Sequence, residues 1–329
     1  MCIRAIALPK LRRRRYGFLA LLLLGIAGCG GDPAPPLRIG TLVWPGYEPL
    51  YLARDLGYLE DRSVRLVEYP SNSEVSRAFR NRAIDGAALT LDETLLLAQD
   101  GFGLGVVLVM DISHGGDAIV GRAEMRTVRD LLGRRVAVDT GTVAAYVLAR
   151  ALTLNGLERS DVKVVHVDYS EHAAAFQAGR VDAVVNGEPL RSELLAAGAS
   201  LLFDSTAIPG EIVDVLAIRS DYLAAHGAIV TGLLRGWFRA IDYLNANPED
   251  AAAQMAVREH ITAERFLRSL GGLRIPGRAE NLKLLSGRDP PLARSGRRLM
   301  EVMLAERLLR APTEVDALFA PAPLEALAR

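Results

Sequence analysis

From Leu37 onward, short apolar runs alternate with amphipathic stretches, and the whole pattern occurs twice. That alternation is the signature of strands joined by crossover helices, so the chain is read as an α/β protein. The first set of predicted strands covers residues 37–43, 64–69, 84–90 and 104–111. The second covers 136–139, 162–168, 181–185 and 201–203. Helices are expected between them at 48–58, 72–82, 92–99, 142–154, 170–178 and 188–196. Phe79 precedes Asp85 by the same spacing as Phe176 precedes Asp182, an offset of 97 residues. The sequence is therefore read as a duplicated supersecondary unit.

After the second set, the apolar run 212–218 reads as a strand returning to the first sheet. Helices are expected beyond it at 228–245, 249–257, 263–270, 279–285 and 293–309, with a partly helical end. Two stretches, 112–117 and 205–218, thus cross between halves. Residues 37–112 with 213–329 form one expected lobe, and 117–204 the other. Two Rossmann-like lobes joined by two crossover segments can close on a ligand by hinge motion.

Residues 1–28 carry six basic residues and no acid, and the apolar run 18–27 follows Arg12–Arg15. The run is about half of the roughly 20 residues that span a bilayer, so it reads as a signal-peptide core. It ends in Ile26-Ala27-Gly28-Cys29, which resembles the bacterial lipobox, with Cys29 as the lipidated residue. Residues 29–36 are then a Gly- and Pro-rich tether holding the protein at the membrane, on the periplasmic side of the envelope. Cys2 and Cys29 are the only cysteines, so removal of the signal leaves no partner for a disulfide.

The chain has 39 basic and 39 acidic residues, but the six basic residues of the signal leave an acidic excess of six beyond Gly28. A nucleic-acid partner is disfavoured, because phosphate contacts need a concentrated basic surface. Five histidines form no HExxH pattern, and no GxSxG elbow or Walker loop occurs. Lys163 and Lys283 are the only lysines outside the signal. No catalytic residue, cofactor or metal is expected.

The segment Arg38-Ile-Gly-Thr-Leu-Val-Trp-Pro-Gly-Tyr-Glu-Pro-Leu-Tyr-Leu-Ala-Arg54, with Gly57-Tyr58-Leu59, resembles the opening of a known group. These are the extracytoplasmic solute-binding proteins of nitrate, sulfonate and taurine transporters (SsuA/THI5-like, NMT1-like). Ile84-Asp85-Gly86-Ala87, Val181-Asp182-Ala183-Val184 and Leu131–Val138 followed by Gly141-Thr142 resemble further motifs of the group. The resemblance implies the type II periplasmic binding protein fold and capture of a small solute for the permease subunits of an ABC importer. A monomer is expected. A sensory module reporting to a membrane receptor and a pyrimidine-synthesis enzyme are the alternatives.

In open α/β sheets, ligands bind beyond the carboxyl ends of strands, near helix N-termini. That rule selects five loops. They contribute Trp44, Gly46 and Tyr47; Thr90 and Asp92; Asp111 and Ser113; Asp139, Thr140, Gly141 and Thr142; and Asn186 and Glu188. Thr90 and Glu93 also have the spacing of a helix capping box. With Glu93 and Asp117, these loops are rich in carboxylates and almost free of Arg and Lys. An oxyanion needs donors, so the balance predicts a cationic or many-donor ligand, such as an amine or a pyrimidine, with Trp44 or Tyr47 as an aromatic face.

Overall fold

The computed structural model describes residues 34–60 and 62–328. The expected signal peptide and Cys29 lie outside the described residues. Along the chain run β1 (Leu37–Thr41), α1 (Glu48–Asp55), β2 (Val64–Glu68), α2 (Asn72–Arg80), β3 (Gly86–Thr90), α3 (Leu91–Gln99) and β4 (Leu104–Ser113). Next come β5 (Ala118–Gly121), β6 (Arg135–Val138), α4 (Val143–Leu154), β7 (Lys163–His166), α5 (His172–Gln177), β8 (Ala183–Asn186), α6 (Leu190–Ala196) and β9 (Ser200–Asp204). The chain then forms β10 (Val213–Arg219), α7 (Ser220–Ala246), α8 (Pro248–Met255), α9 (Ala263–Leu270), β11 (Leu273–Arg274), α10 (Arg278–Leu285), α11 (Pro291–Ala305) and α12 (Ala322–Glu325).

Two sheets result. The first has the order β11-β4-β10-β3-β1-β2, and the second β7-β6-β8-β5-β9. Setting aside β11, the orders correspond strand for strand: β1, β2, β3 and β4 match β6, β7, β8 and β9 at about the repeat offset, while β10 and β5 fill the same place in the order without that offset. The shared chemistry is equally plain. Arg38 Nε and Nη2 bond the two oxygens of Asp85 at 2.7 and 2.8 Å, and its backbone N–H donates to Oδ2 at 3.1 Å. Ninety-seven residues on, Arg135 makes the same three bonds to Asp182 at 3.1, 2.7 and 2.9 Å. Each pair ties the start of one strand to the turn before the strand beside it.

The sheets are mixed rather than all-parallel. Besides the short β11, which runs against β4 at the edge of the first sheet, each sheet has one interior strand that runs against both neighbours: β10 against β3 and β4, β5 against β8 and β9. Both follow a crossing of the chain from one sheet to the other. The run 212–218 returns to the first sheet as expected, whereas β5 was not expected. It is short and follows directly on the crossing, and β4 itself extends to Ser113 into that crossing. Burial explains the strand compositions. All ten residues of β4 and all seven of β10 are buried, as continuous apolar strands covered on both faces require.

Helix starts follow local capping. Ser71 accepts from Glu74 N–H at 3.3 Å at the head of α2, and Thr142 accepts from Ala144 N–H at 3.3 Å at the head of α4. The helix expected from 188 begins only at Leu190, and α7 begins at Ser220 with a break in its dihedrals at His226. Among the described residues, no helix is long and apolar enough to cross a membrane.

Candidate functional site

Strand ends from both sheets converge on one cavity. From the first sheet and its helices come Leu42, Trp44, Tyr47, Asn72, Thr90 and Asp214. From the second come Thr142, Val143, Ala144, Val147, Tyr169, Val185 and Asn186, and Asp117 joins them just after a crossing. About 30 Å³ is open to the centres of water-sized molecules. One water needs roughly 10–15 Å³ on this measure, so entry of a solute requires the halves to part.

A row of polar residues crosses the first sheet here. Thr90 on β3 stands opposite Asp214 on β10, which stands opposite Asp111 on β4. Tyr47 donates its hydroxyl to Asp214, and Trp44 Nε1 donates to Asp111 Oδ2 at 3.0 Å. Burial, then the nearby charges, pushes Asp214 well above the carboxylate range. Burial also pushes Asp111 up to about 7. Among the described residues no cation acts on either carboxyl, so the pair retains a proton at neutral pH.

Two glycines make room for this arrangement. A Cβ on Gly46 would overlap the Asp111 carboxylate and stand 2.7 Å from Trp44 Nε1. A Cβ on Gly187 would stand 2.5 Å from Trp44 Cζ3, so the indole lies directly on the backbone of the second half.

Glu93, buried at the first turn of α3, joins the halves. Its Oε2 accepts from Thr90 N–H at 3.1 Å and from Asn72 Nδ2 at 3.0 Å, and its Oε1 accepts from Val143 N–H at 3.3 Å. Val143 is the first residue of α4, so a protein carboxyl occupies the helix N-terminus that faces the cavity. A second bond between the halves runs from Ser71 Oγ to Asp168 Oδ2 at 3.0 Å. At the crossings, Ser113 and Ser205 join hydroxyls at 2.8 Å, and Ser205 N–H donates to Asp117 O at 2.9 Å.

In the cavity wall, Asp117 is 8% exposed, and its Oδ2 has no hydrogen-bond partner. Burial pushes Asp117 up to about 6, with the charges of Asp92 and Glu188 adding to the shift. Asn186 is held by its neighbours: its Oδ1 accepts from Gly187 N–H at 2.7 Å, and its Nδ2 lies 2.9 Å from His172 Nδ1.

Of the residues selected from sequence, Trp44, Tyr47, Thr90, Thr142 and Asn186 line the cavity. Asp111 lies behind Trp44, and Gly46 supplies the clearance for their contact. Ser113 sits in the crossing. Asp92 is buried beside Thr90, and its carboxyl is raised to about 6 by burial. Asp139 is buried but does not line the cavity. Thr140 and Gly141 are exposed, Thr140 bonding His166 Nδ1 at 2.9 Å. Glu188 caps α6 instead, accepting from Ser192 N–H at 3.2 Å and Ser192 Oγ at 2.8 Å, with Arg191 at 3.1 Å. Asn72, Tyr169 and Asp214 line the cavity without having been selected. Among the described residues, no group of three or more His, Cys, Asp or Glu is placed to hold a metal ion.

The chain is 29% identical over 248 residues to a putative aliphatic sulfonates-binding protein of Escherichia coli K12, covering 73% of this chain and 76% of that one. A similarly named protein of Bacillus subtilis 168 is 26% identical over 265 residues, covering 71% and 75%. Among solved structures, the alkanesulfonate-binding protein SsuA from Xanthomonas axonopodis pv. citri, bound to MOPS, superposes with a TM-score of 0.74. It is 22% identical and covers 88% of this chain and 99% of that one. The architecture is that of the type II periplasmic binding proteins, and the NMT1-like family model matches residues 30–258: the chain belongs to the NMT1-like family.

Proposed function

We propose that the protein is an extracytoplasmic solute-binding protein that closes on a small molecule and delivers it to the permease subunits of an ABC importer. It acts as a monomer, tethered to the membrane by lipid on Cys29. Its ligand is cationic or donor-rich, an amine or an amine-bearing heteroaromatic, rather than a sulfonate. Family membership and fold support the class of protein. The ligand reading rests on Asp117: a buried carboxylate oxygen without a partner, in a cavity that no Arg or Lys lines among the described residues.

Two further features agree with it. An oxyanion would seek the N-terminus of α4, whose first amide already bonds Glu93. Trp44 and Tyr169 offer aromatic surface to a flat or cationic group. The relatives it matches are named as binding proteins, which supports binding over catalysis.

A thermal-shift screen tests the reading with two panels: primary and quaternary amines with aminopyrimidines, against taurine, MOPS and alkanesulfonates. A true ligand at 100 times its dissociation constant adds about 2.7 kcal/mol of stability. Stabilisation by the sulfonates alone would overturn it. Palmitate labelling that disappears in Cys29→Ala tests the anchor.

A further inference from the structure

Asn186 ends β8 where that strand reaches the cavity, and it is 3% exposed. Its carboxamide has two donor protons and one acceptor oxygen. The oxygen is taken, because Oδ1 accepts from Gly187 N–H at 2.7 Å. His172, buried at the head of α5, orients the nitrogen. Its Nε2 lies 3.1 Å from the carbonyl oxygen of Val167, which only accepts, so the ring proton is on Nε2 and Nδ1 is bare. Asn186 Nδ2 donates one proton to that Nδ1 at 2.9 Å. Its other proton has no partner in the protein, on a side chain that lines the cavity.

Asp117 supplies the complementary group close by. It precedes Ala118, which stands opposite Asn186 in the pairing of β5 with β8. Its backbone is held on both sides: its N–H donates to Ser113 Oγ at 3.2 Å, and its carbonyl accepts from Ser205 N–H at 2.9 Å. A Cβ on Gly187, the residue after Asn186, would lie 3.5 Å from Asp117 Oδ1. Neighbouring strands are about 5 Å apart, so the spare amide proton and the Asp117 carboxylate are within reach of one small molecule. A donor left unmet in a closed cavity weakens binding, whereas an acceptor on the ligand restores what is lost.

We propose that Asn186 reads a hydrogen-bond acceptor on the ligand. The solute then carries a hydroxyl, ether or carbonyl oxygen close to its cationic group, as amino alcohols and amino amides do, and is not a bare alkylamine. His172 is a positioning residue, since it decides which edge of the Asn186 amide meets the ligand. This rests on the cationic reading of the cavity and deepens it: Asp117 takes the cation, and Asn186 selects among cations.

Isothermal titration of the purified protein with matched pairs tests this. The pairs are n-propylamine against ethanolamine, n-butylamine against 3-aminopropanol, and propyltrimethylammonium against choline. In at least one pair the oxygen-bearing member should bind about tenfold tighter or more than its alkyl isostere. That ratio, read within each variant, separates discrimination from a general loss of binding. It should fall to about one in Asn186→Leu and in His172→Phe, which leaves the amide unheld. It should persist in His172→Gln, which retains an acceptor. Equal affinities within every pair would overturn the acceptor reading and leave the cationic one standing. A ratio that survives in Asn186→Leu would overturn the assignment to Asn186. Survival in His172→Phe, or loss in His172→Gln, would overturn the positioning role. Failure of every amine would overturn the cationic reading together with this one.

Discussion

Glu93 Oε1 accepts the amide of Val143 at 3.3 Å, so the first turn of α3 in one half caps the first turn of α4 in the other. The helix end most suited to an anion is thereby closed by the protein itself. Glu93→Ala removes that carboxyl and reopens the α4 N-terminus. We expect the variant to lose about 1–3 kcal/mol of stability, because Asn72 and the Thr90 amide lose their acceptor. We also expect it to gain a thermal shift with small alkanesulfonates that the unaltered protein lacks. A sulfonate response of equal size in both proteins would refute this account of Glu93.

The contact of Trp44 with Gly187 makes the closed form sensitive to one methyl group. A Cβ at position 187 would lie 2.5 Å from the indole edge and force the ring away, straining its bond to Asp111. Gly187→Ala should therefore lower thermal stability by about 1–3 kcal/mol, the range for overpacking. Fluorescence of Trp44, read in a Trp237→Phe background since the chain has two tryptophans, should shift toward a wetter environment. An unchanged emission maximum would show that the ring does not rest on Gly187.

The pH dependence of the ligand-free protein should run against the usual acid-denaturation trend. Burial raises Asp117 and Asp139 to about 6, Asp111 to about 7 and Glu93 to about 8. Between the unfolded carboxylate values near 4 and these raised values, the folded state binds more protons than the unfolded state. Their contribution is thus fully present at low pH and is lost as the pH rises through the folded values. His172 acts oppositely. Burial lowers it to about 4, so its contribution fades as the pH falls from 6.5 toward 4. Four carboxyls outweigh one imidazole, so the melting temperature should be higher at pH 5 than at pH 8. A monotonic fall on acidification across that interval would refute the assignment, and Asp117→Asn should flatten the slope.

Much of the fold is legible at Phe79, Asp85, Phe176 and Asp182, because a duplicated unit repeats its fastenings. The pair Arg38–Asp85 recurs as Arg135–Asp182 with the same three bonds. β5 was illegible because four residues beside a crossing carry too little pattern. The site was legible where a parallel strand ends, at Trp44, Thr90 and Asn186. Asp214 escaped the rule because β10 runs the other way and brings its amino end to the cavity, although a lone carboxylate inside the apolar run 212–218 was a signal. Asn72 and Tyr169 follow β2 and β7, stand 97 residues apart, and were passed over among the loops.

The duplicated fastening makes its own prediction. Asp85→Ala and Asp182→Ala each remove a bidentate partner and a backbone acceptor at a partly exposed site. Each should cost about 1–2 kcal/mol in urea unfolding. The two sites are on different sheets and share no partner, so their effects should add within about 0.5 kcal/mol. Strong non-additivity would mean that the sheets unfold as a tighter unit than their separate hydrogen-bond ladders imply.

The last expectation concerns how Asn186 is aimed. His172 Nε2 lies 3.1 Å from the carbonyl of Val167, which can only accept, so the imidazole carries its proton on Nε2. Nδ1 is then an acceptor, and it takes one of the two Asn186 Nδ2 protons at 2.9 Å. Asn186 Oδ1 consequently faces the Gly187 amide, and the other Nδ2 proton is free for the cavity. Nitrogen-15 spectra should report a neutral His172 in the Nε2–H tautomer down to about pH 5, consistent with its lowered value. His172→Phe removes the acceptor at Nδ1 and should leave the Asn186 amide free to turn over. Its two side-chain proton resonances should then collapse toward exchange-averaged positions, while His172→Gln, which retains an acceptor, should preserve their separation. A Nδ1–H tautomer in the unaltered protein would reverse the amide and place an acceptor, not a donor, at that edge of the cavity.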